Sequence, residues 1–334
     1  MAYDGKIMRR ALQRFEEDRQ ARETRFRERQ ESIFRRQPRL REVDSQLRST
    51  MSRIIADALR RGTDPRPAVE RLRDENLSLQ AEKRDLLARM GLPEDCLEEK
   101  PLCPLCGDTG YWNGQVCRCL RKYYAEEQTR ELSRMLDLGS QSFDTFSLDW
   151  YSDRVIDGQR RSARSHMEER VYNSCAEFAH GFGRRLQNLL LFGAPGLGKT
   201  HLSAAIAREV SGKGFSVVYD TAAHVFARFE TQKFGREEGD EVSSDVGRVL
   251  NADLLILDDL GTEMTTAFVQ SALYQIVNTR LLEKRSTIIS TNLSPEKLAQ
   301  RYTAQIASRI EGEYQLLPFV GEDIRKLKKA KSEN

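Results

Sequence analysis

Eight residues, Gly193-Ala194-Pro195-Gly196-Leu197-Gly198-Lys199-Thr200, have the spacing of a phosphate-binding loop. Glycines let backbone N–H groups curl round an anion with no side chain in the way. The helix expected to follow aims its N-terminal dipole at the same point. There Lys199 reaches β- and γ-phosphates and the Thr200 hydroxyl ligates Mg2+. The apolar run Leu189-Leu190-Leu191-Phe192 before the loop reads as the strand that feeds it. A second apolar run, Leu254-Leu255-Ile256-Leu257, ends in Asp258 and Asp259. A parallel strand delivers its end to the sheet edge that carries the loop. Asp258 is therefore the expected Mg2+ ligand, direct or through water, and Asp259 the group that orients or activates the attacking water. Glu263 is a second candidate for that base. A third strand ends at Ser290-Thr291-Asn292. The Asn292 amide can bond the attacking water or the γ-phosphate, though Asn also suits a helix start, and Ser294-Pro295 begins one. Arg309 reads in two ways, as a surface arginine or as a group reaching into a neighbouring subunit's nucleotide.

A separate chemistry sits at Cys103, Cys106, Cys117 and Cys119, spaced C-x2-C-x10-C-x-C. Four thiolates satisfy structural zinc and leave no open position for catalysis. Gly107 suits the tight turn that points backbone N–H groups at sulfur. The bound cluster would carry a net charge of about −2, which Arg118, Arg121 and Lys122 can offset. The second pair is tighter than C-x2-C, so a ligand from elsewhere is an alternative, as are a redox dithiol and free buried thiols. Cys96 and Cys175 are not expected ligands. A segment with so little apolar content needs its metal to fold.

The elements that must hold these groups follow from period and punctuation. Strands are expected at Asn188–Phe192, Phe215–Tyr219, Asp253–Asp258, Ser286–Thr291 and Tyr314–Phe319, with helices such as Thr200–Val210, Thr221–Thr231 and Met264–Glu283 between them. Strands alternating with helices imply a parallel sheet covered on both faces. Residues 1–90 hold 23 Lys/Arg against 16 Asp/Glu, and their pattern is helical. Leu40, Val43, Leu47, Ile54, Ala58 and Leu59 line one helical face, opened by Pro38 and closed by Gly62. After a turn at Asp64–Pro67, Leu72, Leu79 and Leu86 repeat at seven residues and the helix stops at Gly91. The pair reads as a helical hairpin. The expected division is a helical region at 1–95, a zinc module with a helix at 96–137, a linker at 138–166, an α/β domain at 167–327 and a disordered charged tail at 328–334.

Composition bounds the partners. The 334 residues suggest two or three domains, and 39% hydrophobic content supports a sizeable core. A net charge of +3 excludes a histone-like polycation while allowing a local basic face. No apolar run approaches a membrane span, and the opening residues lack a signal peptide's apolar stretch. The expectation is a cytoplasmic protein with no membrane partner.

The stretches Phe192–Leu202, Leu257–Glu263 and Ser290–Leu293, with the ending Leu317–Arg325, resemble the DnaC/DnaI branch of the AAA+ ATPases. These are bacterial loaders of the replicative hexameric helicase. The branch also contains IstB-like transposition helpers and lies near DnaA. The likeness runs over about residues 140 to 327. It implies an α/β fold, an AAA+ P-loop NTPase domain with a five-stranded parallel sheet, preceded by a mostly helical N-terminal region and a small zinc-binding module. The cofactors it implies are ATP, Mg2+ and Zn2+. Gly193 to Thr200 with His201 would hold the nucleotide, Thr200 and Asp258 the Mg2+, and Asn292 would sense the γ-phosphate. Arg309 matches the arginine finger that acts in trans. Many AAA+ proteins have Glu where Asp259 stands, which implies slow turnover used as a switch. The usual helical lid is not expected, leaving Arg325 as a substitute for its sensor. The cysteine segment and helical region are similar to the helicase-binding half of the DnaI type, which IstB-like helpers lack. The partners implied are a DnaB-type hexameric helicase, single-stranded DNA and further copies of the chain through the ATPase domain. The alternative is an IstB-like transposition or primosome helper.

Overall fold

A computed structural model describes residues 3–61, 66–135, 141–155, 161–234 and 240–332. The chain divides into two compact units, one of residues 14–117, the other of residues 1–13 with 118–334. The Arg-rich start folds as α1 (Gly5–Arg36), α2 (Pro38–Arg61) and α3 (Arg66–Arg89). Pro38 takes the first position of α2, where a missing N–H costs nothing. The hairpin of α2 on α3 is present as expected. Leu40, Leu86 and Leu87 meet Ile33 and Phe34 from the end of α1, and Leu97 completes a small apolar cluster. Asp44, buried in the hairpin, is paired with Lys83 across it at 2.7 Å and with Arg48 on its own helix. Leu79 is half-buried. The side chains of Ile54, Ala58, Leu59 and Leu72 lie outside the described residues, as do Gly62 and the first half of the expected turn. A two-stranded hairpin, β1 (Tyr111–Trp112) with β2 (Gln115–Val116), sits within the cysteine segment.

The second unit begins with α4 (Arg118–Met135) and, after α5 (Ala163–His166), a π-helical stretch (Met167–Tyr172) and α6 (Asn173–Gly181), builds one parallel sheet. Its strands are β3 (Leu189–Phe192), β4 (Val217–Thr221), β5 (Leu254–Leu260), β6 (Ser286–Thr291) and β7 (Gln315–Pro318), in the order β4-β5-β6-β3-β7. The helices are α7 (Lys199–Gly212), α8 (Ala222–Phe234), α9 (Asp240–Asn251), α10 (Ala267–Leu282), α11 (Pro295–Arg301), α12 (Ala304–Glu313) and α13 (Ile324–Ser332). The strands are apolar on both faces because both are covered. Leu189, Leu191, Leu254 and Ile256 join the core under α6 and α7. Leu190, Leu255 and Leu257 point into the core under α8, α9, α10 and α12. The expected five-stranded parallel sheet is therefore present, each strand within two residues of its expected ends.

Three expectations give way. The helix assigned to the zinc module starts at Arg118 and packs against α7. There the Gln128 side chain accepts from the Val217 N–H at 3.1 Å, and the Thr129 and Ser211 hydroxyls meet at 2.8 Å. The segment expected as a linker is, over its described residues, part of this core. Tyr151 is buried, and Phe143, Phe146 and Leu148 pack against the α6–α7 cluster. Residues 328–332, expected in a disordered tail, form with residues 324–327 the helix α13. Asp323 accepts from the Arg325 N–H at 3.0 Å and so caps that helix. Lys328 and Lys331 lie 5.6 and 5.3 Å from the Trp150 ring centre.

Candidate nucleotide and metal sites

Strand β3 runs into the glycine loop, and α7 starts at Lys199. The loop's turns use left-handed backbone that only glycine adopts easily. At Gly196 (φ 78°) a Cβ would lie 1.9 Å from Asp323 Oδ1; at Gly198 (φ 85°) it would lie 2.9 Å from the Phe146 ring. The Lys199 ammonium is buried and donates to the carbonyls of Gly193 and Ala194 and to Asn292 Oδ1, each at 2.8 Å. Burial pushes its pKa down, while Asp259 and Asp258 pull it back up. The loop lysine and the amide at the end of β6, far apart in sequence, thus meet directly.

Pairing of β5 with β6 slips between Leu257 and Leu260. This irregularity contains both acids, and such bulges re-aim side chains beside functional sites. Asp258 is buried; its Oδ2 accepts from the Tyr219 hydroxyl at 2.8 Å and its Oδ1 from the Ser290 hydroxyl. Asp259 takes a left-handed backbone, φ 54°, and its N–H donates to Ser290 Oγ at 3.1 Å. Its carboxylate faces the cleft. Burial first, and Asp258 second, raise its pKa above the usual carboxylate value, against the pull of Lys199 and Arg325. Glu263 is engaged elsewhere. One oxygen accepts from the Gly261 N–H at 2.9 Å, the other from the Tyr302 hydroxyl.

The cleft has a volume of about 310 Å³ and is lined by Pro195 to His201, Asp259 and Asn292. Its other walls are Gln141, Thr145, Phe146, Ser147 and Trp150 on one side, which sequence reading did not select, and Ile324, Arg325 and Lys328 of α13 on the other, of which it had named Arg325. His201 pins the first wall through its contact with the Ser142 carbonyl at 2.9 Å and its edge-on packing against Phe146. The buried Tyr151 hydroxyl donates to the Leu197 carbonyl at 2.8 Å. The Ile324 N–H donates to the Gly196 carbonyl at 3.0 Å, tying α13 to the loop. Arg325 thus lies where its charge reaches Lys199 and Asp259. Arg309 is not among the lining residues; it lies half-buried on α12, 5.5 Å from the Tyr274 ring centre. The signal that might have found Tyr219 is its place near the C-terminal end of a strand. For Phe146 and Trp150 it is the density of aromatics in an otherwise polar stretch.

The sulfurs of Cys103, Cys106, Cys117 and Cys119 lie within 4.8 Å of one another, three of them buried. The 3.6 Å between Cys103 and Cys117 Sγ is close to the ~3.8 Å edge of a tetrahedron with Zn–S bonds of about 2.3 Å. Cys119 supplies the fourth sulfur, so no ligand from elsewhere is needed. Gly107 (φ 59°) makes the expected turn, its N–H donating to the Cys103 carbonyl at 2.9 Å. The Cys106 N–H, with that of Leu105, lowers the Cys103 pKa to about 6, which favours the thiolate a metal requires. Asp108 clasps the knuckle, accepting from the N–H groups of Cys103 and Leu102 and pairing with Arg22 at 2.9 Å. Cys175 is buried and its pKa is raised by burial; Cys96 packs beside the α2–α3 cluster. The donor set fits Zn2+.

A glycine loop feeding a helix, an acid-ended neighbouring strand and a polar amide opposite define a P-loop nucleotide-binding unit. Residues 161–332 match the IstB-like ATP binding protein family, and the chain belongs to it. It is similar to the replicative helicase loader DnaC of Buchnera aphidicola subsp. Baizongia pistaciae, with 30% identity over 125 residues, 37% of this chain and 50% of that protein. It is also similar to DnaC of Escherichia coli K12, with 27% identity over 134 residues, 40% of this chain and 54% of that protein. The chain thus spans about half the length of these curated relatives. A crystal structure of the DnaC helicase loader aligns with 53% of this chain and 97% of its own, at 25% identity and a TM-score of 0.42. Among the described residues no helix is long and apolar enough to cross a membrane.

Proposed function

We propose that this chain is an ATP-dependent loader of a replicative, DnaB-type hexameric helicase onto single-stranded DNA, working in the cytoplasm with slow hydrolysis as its switch. The observation that carries this reading is the undamaged cleft, in a chain similar to DnaC loaders. On ATP binding, Lys199 exchanges its carbonyl and amide partners for phosphate oxygens, leaving Asn292 free to orient the attacking water. Thr200 and Asp258 hold Mg2+, which supplies charge neutralisation at the phosphates. Tyr219 and Ser290 fix the Asp258 carboxylate. Asp259 takes the proton of the attacking water; Glu263, engaged on both oxygens, does not. His201 holds the cleft wall, and Arg325 reads the nucleotide from α13. Arg309, away from its own cleft, acts on the nucleotide of a second copy, so that hydrolysis reports self-association. Cys103, Cys106, Cys117 and Cys119 hold a structural Zn2+, and the helical region engages the helicase.

Native mass spectrometry of the full chain mixed with the replicative helicase of its own source tests this. A complex whose stoichiometry changes with ATP, and fails to change in Lys199→Ala, is expected. Absence of any complex in every nucleotide condition overturns the loader and favours the IstB-like transposition or primosome helper, while leaving the ATPase assignment standing.

A further inference from the structure

Outside the nucleotide cleft, the second unit carries a groove of about 720 Å³ between the first half of α4 and the end of α7. Arg118, Arg121, Lys122 and Arg130 line it from α4, with one carboxylate, Glu126, among them, and Lys213 lines it from the turn after α7. Positions 118, 121, 122, 125 and 129 share one helical face, since residues three and four apart are neighbours on a helix. Ala125 and Thr129 form the apolar floor of that face. The placement is electrostatically costly. The first turn of α4 contains no acid, although the positive end of the helix dipole favours one. The three cations instead crowd one another at spacings of three and four. Arg130 and Lys213 have carboxylate partners, Glu127 at 2.9 Å and Glu209 at 3.4 Å. Arg118, Arg121 and Lys122 have no ion pair among the described residues.

Arg121 is also built into place. Its stem crosses Gly214, where a Cβ would lie 2.5 Å from Arg121 Cγ. Gly214 has φ 82°, so the glycine serves both the turn and the approach. The stem is clamped, while the Arg121 Nε is buried with no hydrogen-bond partner. A guanidinium carried on a clamped stem, flanked by two cations without ion pairs among the described residues and by a helix N-terminus, is an arrangement that takes a phosphate. A row of such cations along a groove takes a chain of phosphates.

We propose that this groove binds the phosphodiester backbone of a nucleic acid single strand, a contact separate from the ATP cleft. It rests on the reading of single-stranded DNA as a partner. Arg121 bridges phosphate oxygens through its guanidinium, and Arg118 and Lys122 neutralise the neighbouring phosphates. Base identity is not read there, since the groove offers no aromatic platform.

Fluorescence anisotropy of the zinc-loaded full chain with a labelled 20-mer oligothymidine, titrated across a salt series, tests this. A duplex of equal length is the second arm, because both forms carry phosphodiesters. The triple variant Arg118→Ala/Arg121→Ala/Lys122→Ala is expected to bind about tenfold more weakly. Its salt dependence should be shallower by about 0.7 for each lost single-strand contact. Binding of a fluorescent ATP analogue should be unchanged. Lys122→Gln, at an exposed position, gives a smaller loss of the same kind should the triple variant fail to fold. A loss on the single strand upholds the proposal; a loss confined to the duplex overturns it, since the groove then takes the other form of the backbone. Wild-type affinity and salt slope in both variants overturn it, leaving DNA as a partner elsewhere on the chain. Failure of the wild type to bind either oligonucleotide overturns both the groove and the DNA partner. A loss of binding that tracks loss of zinc content also overturns it, since the cations then serve only to balance the thiolates.

Discussion

The phosphate-facing wall of the nucleotide cleft is made of the ends of elements whose bodies lie in the sheet or its covering helices. Lys199 starts α7, Asn292 follows β6, and Asp259 sits in the irregular stretch of β5 beside β6. In the cysteine segment the order is reversed. Its hairpin has two residues per strand, and Leu102, Leu105, Tyr111 and Trp112 are exposed around it. What gathers there is sulfur, with Asp108 clasping two N–H groups. One site is held by a core of buried strands and helices; in the other, four sulfurs stand where a core would be.

The largest effect should separate these two directly. Stripping the metal with a strong chelator, or Cys106→Ser, is expected to abolish amide exchange protection across residues 102–117. The thermal transition of the sheet-containing unit should persist. Loss of both together would mean that the two sites are not independently held. Next, Lys199→Ala should reduce ATP hydrolysis on the order of a hundredfold or more, read by phosphate release. Its unfolding temperature should move little, because the lysine bonds only to the loop and Asn292. The third breaks the cleft's scaffold rather than its chemistry. Arg280 is fully buried and donates to the carbonyls of Val249, Leu250, Ala252 and Ser286 and to the Thr287 hydroxyl. Arg280→Met orphans these acceptors and should cost about 3 kcal/mol in denaturant unfolding. Nucleotide affinity in the surviving folded fraction should stay close to wild type. The smallest is a shift in pH dependence. Asp259 must lose its proton to act as base, so hydrolysis falls with acid, with a midpoint above the ordinary carboxylate value. Arg325 favours the ionised form, so Arg325→Ala should move that midpoint to higher pH; a move to lower pH would remove Arg325 from the electrostatics of the cleft.

Much of this was legible because it is local. The eight-residue loop carries its chemistry in one stretch, and the five strands announce themselves as apolar runs bounded by polar residues. The four cysteines are legible for the same reason. The rest depends on register and long-range burial. Tyr219 meets Asp258 only because β4 lies beside β5 in one particular register, and no spacing along the chain encodes that. Tyr151 is buried and Phe146 half-buried without any period, so a stretch rich in Ser and Asp passes for a linker. The helicity of 324–332 leans on Asp323 and on Trp150, more than 170 residues away in sequence.

The left-handed backbone of Asp259 bears on how this cleft can drift. Few side chains other than glycine tolerate that conformation; Asp and Asn do so best, because a short polar group can bond locally. Glu is less at home on such a backbone, which gives a conformational reason for the shorter acid here. Asn would keep the shape of the main chain while removing the proton acceptor, and it lies one nucleotide change from Asp. Under the proposed switch, a single step at this codon would leave a chain that binds nucleotide and cannot hydrolyse it.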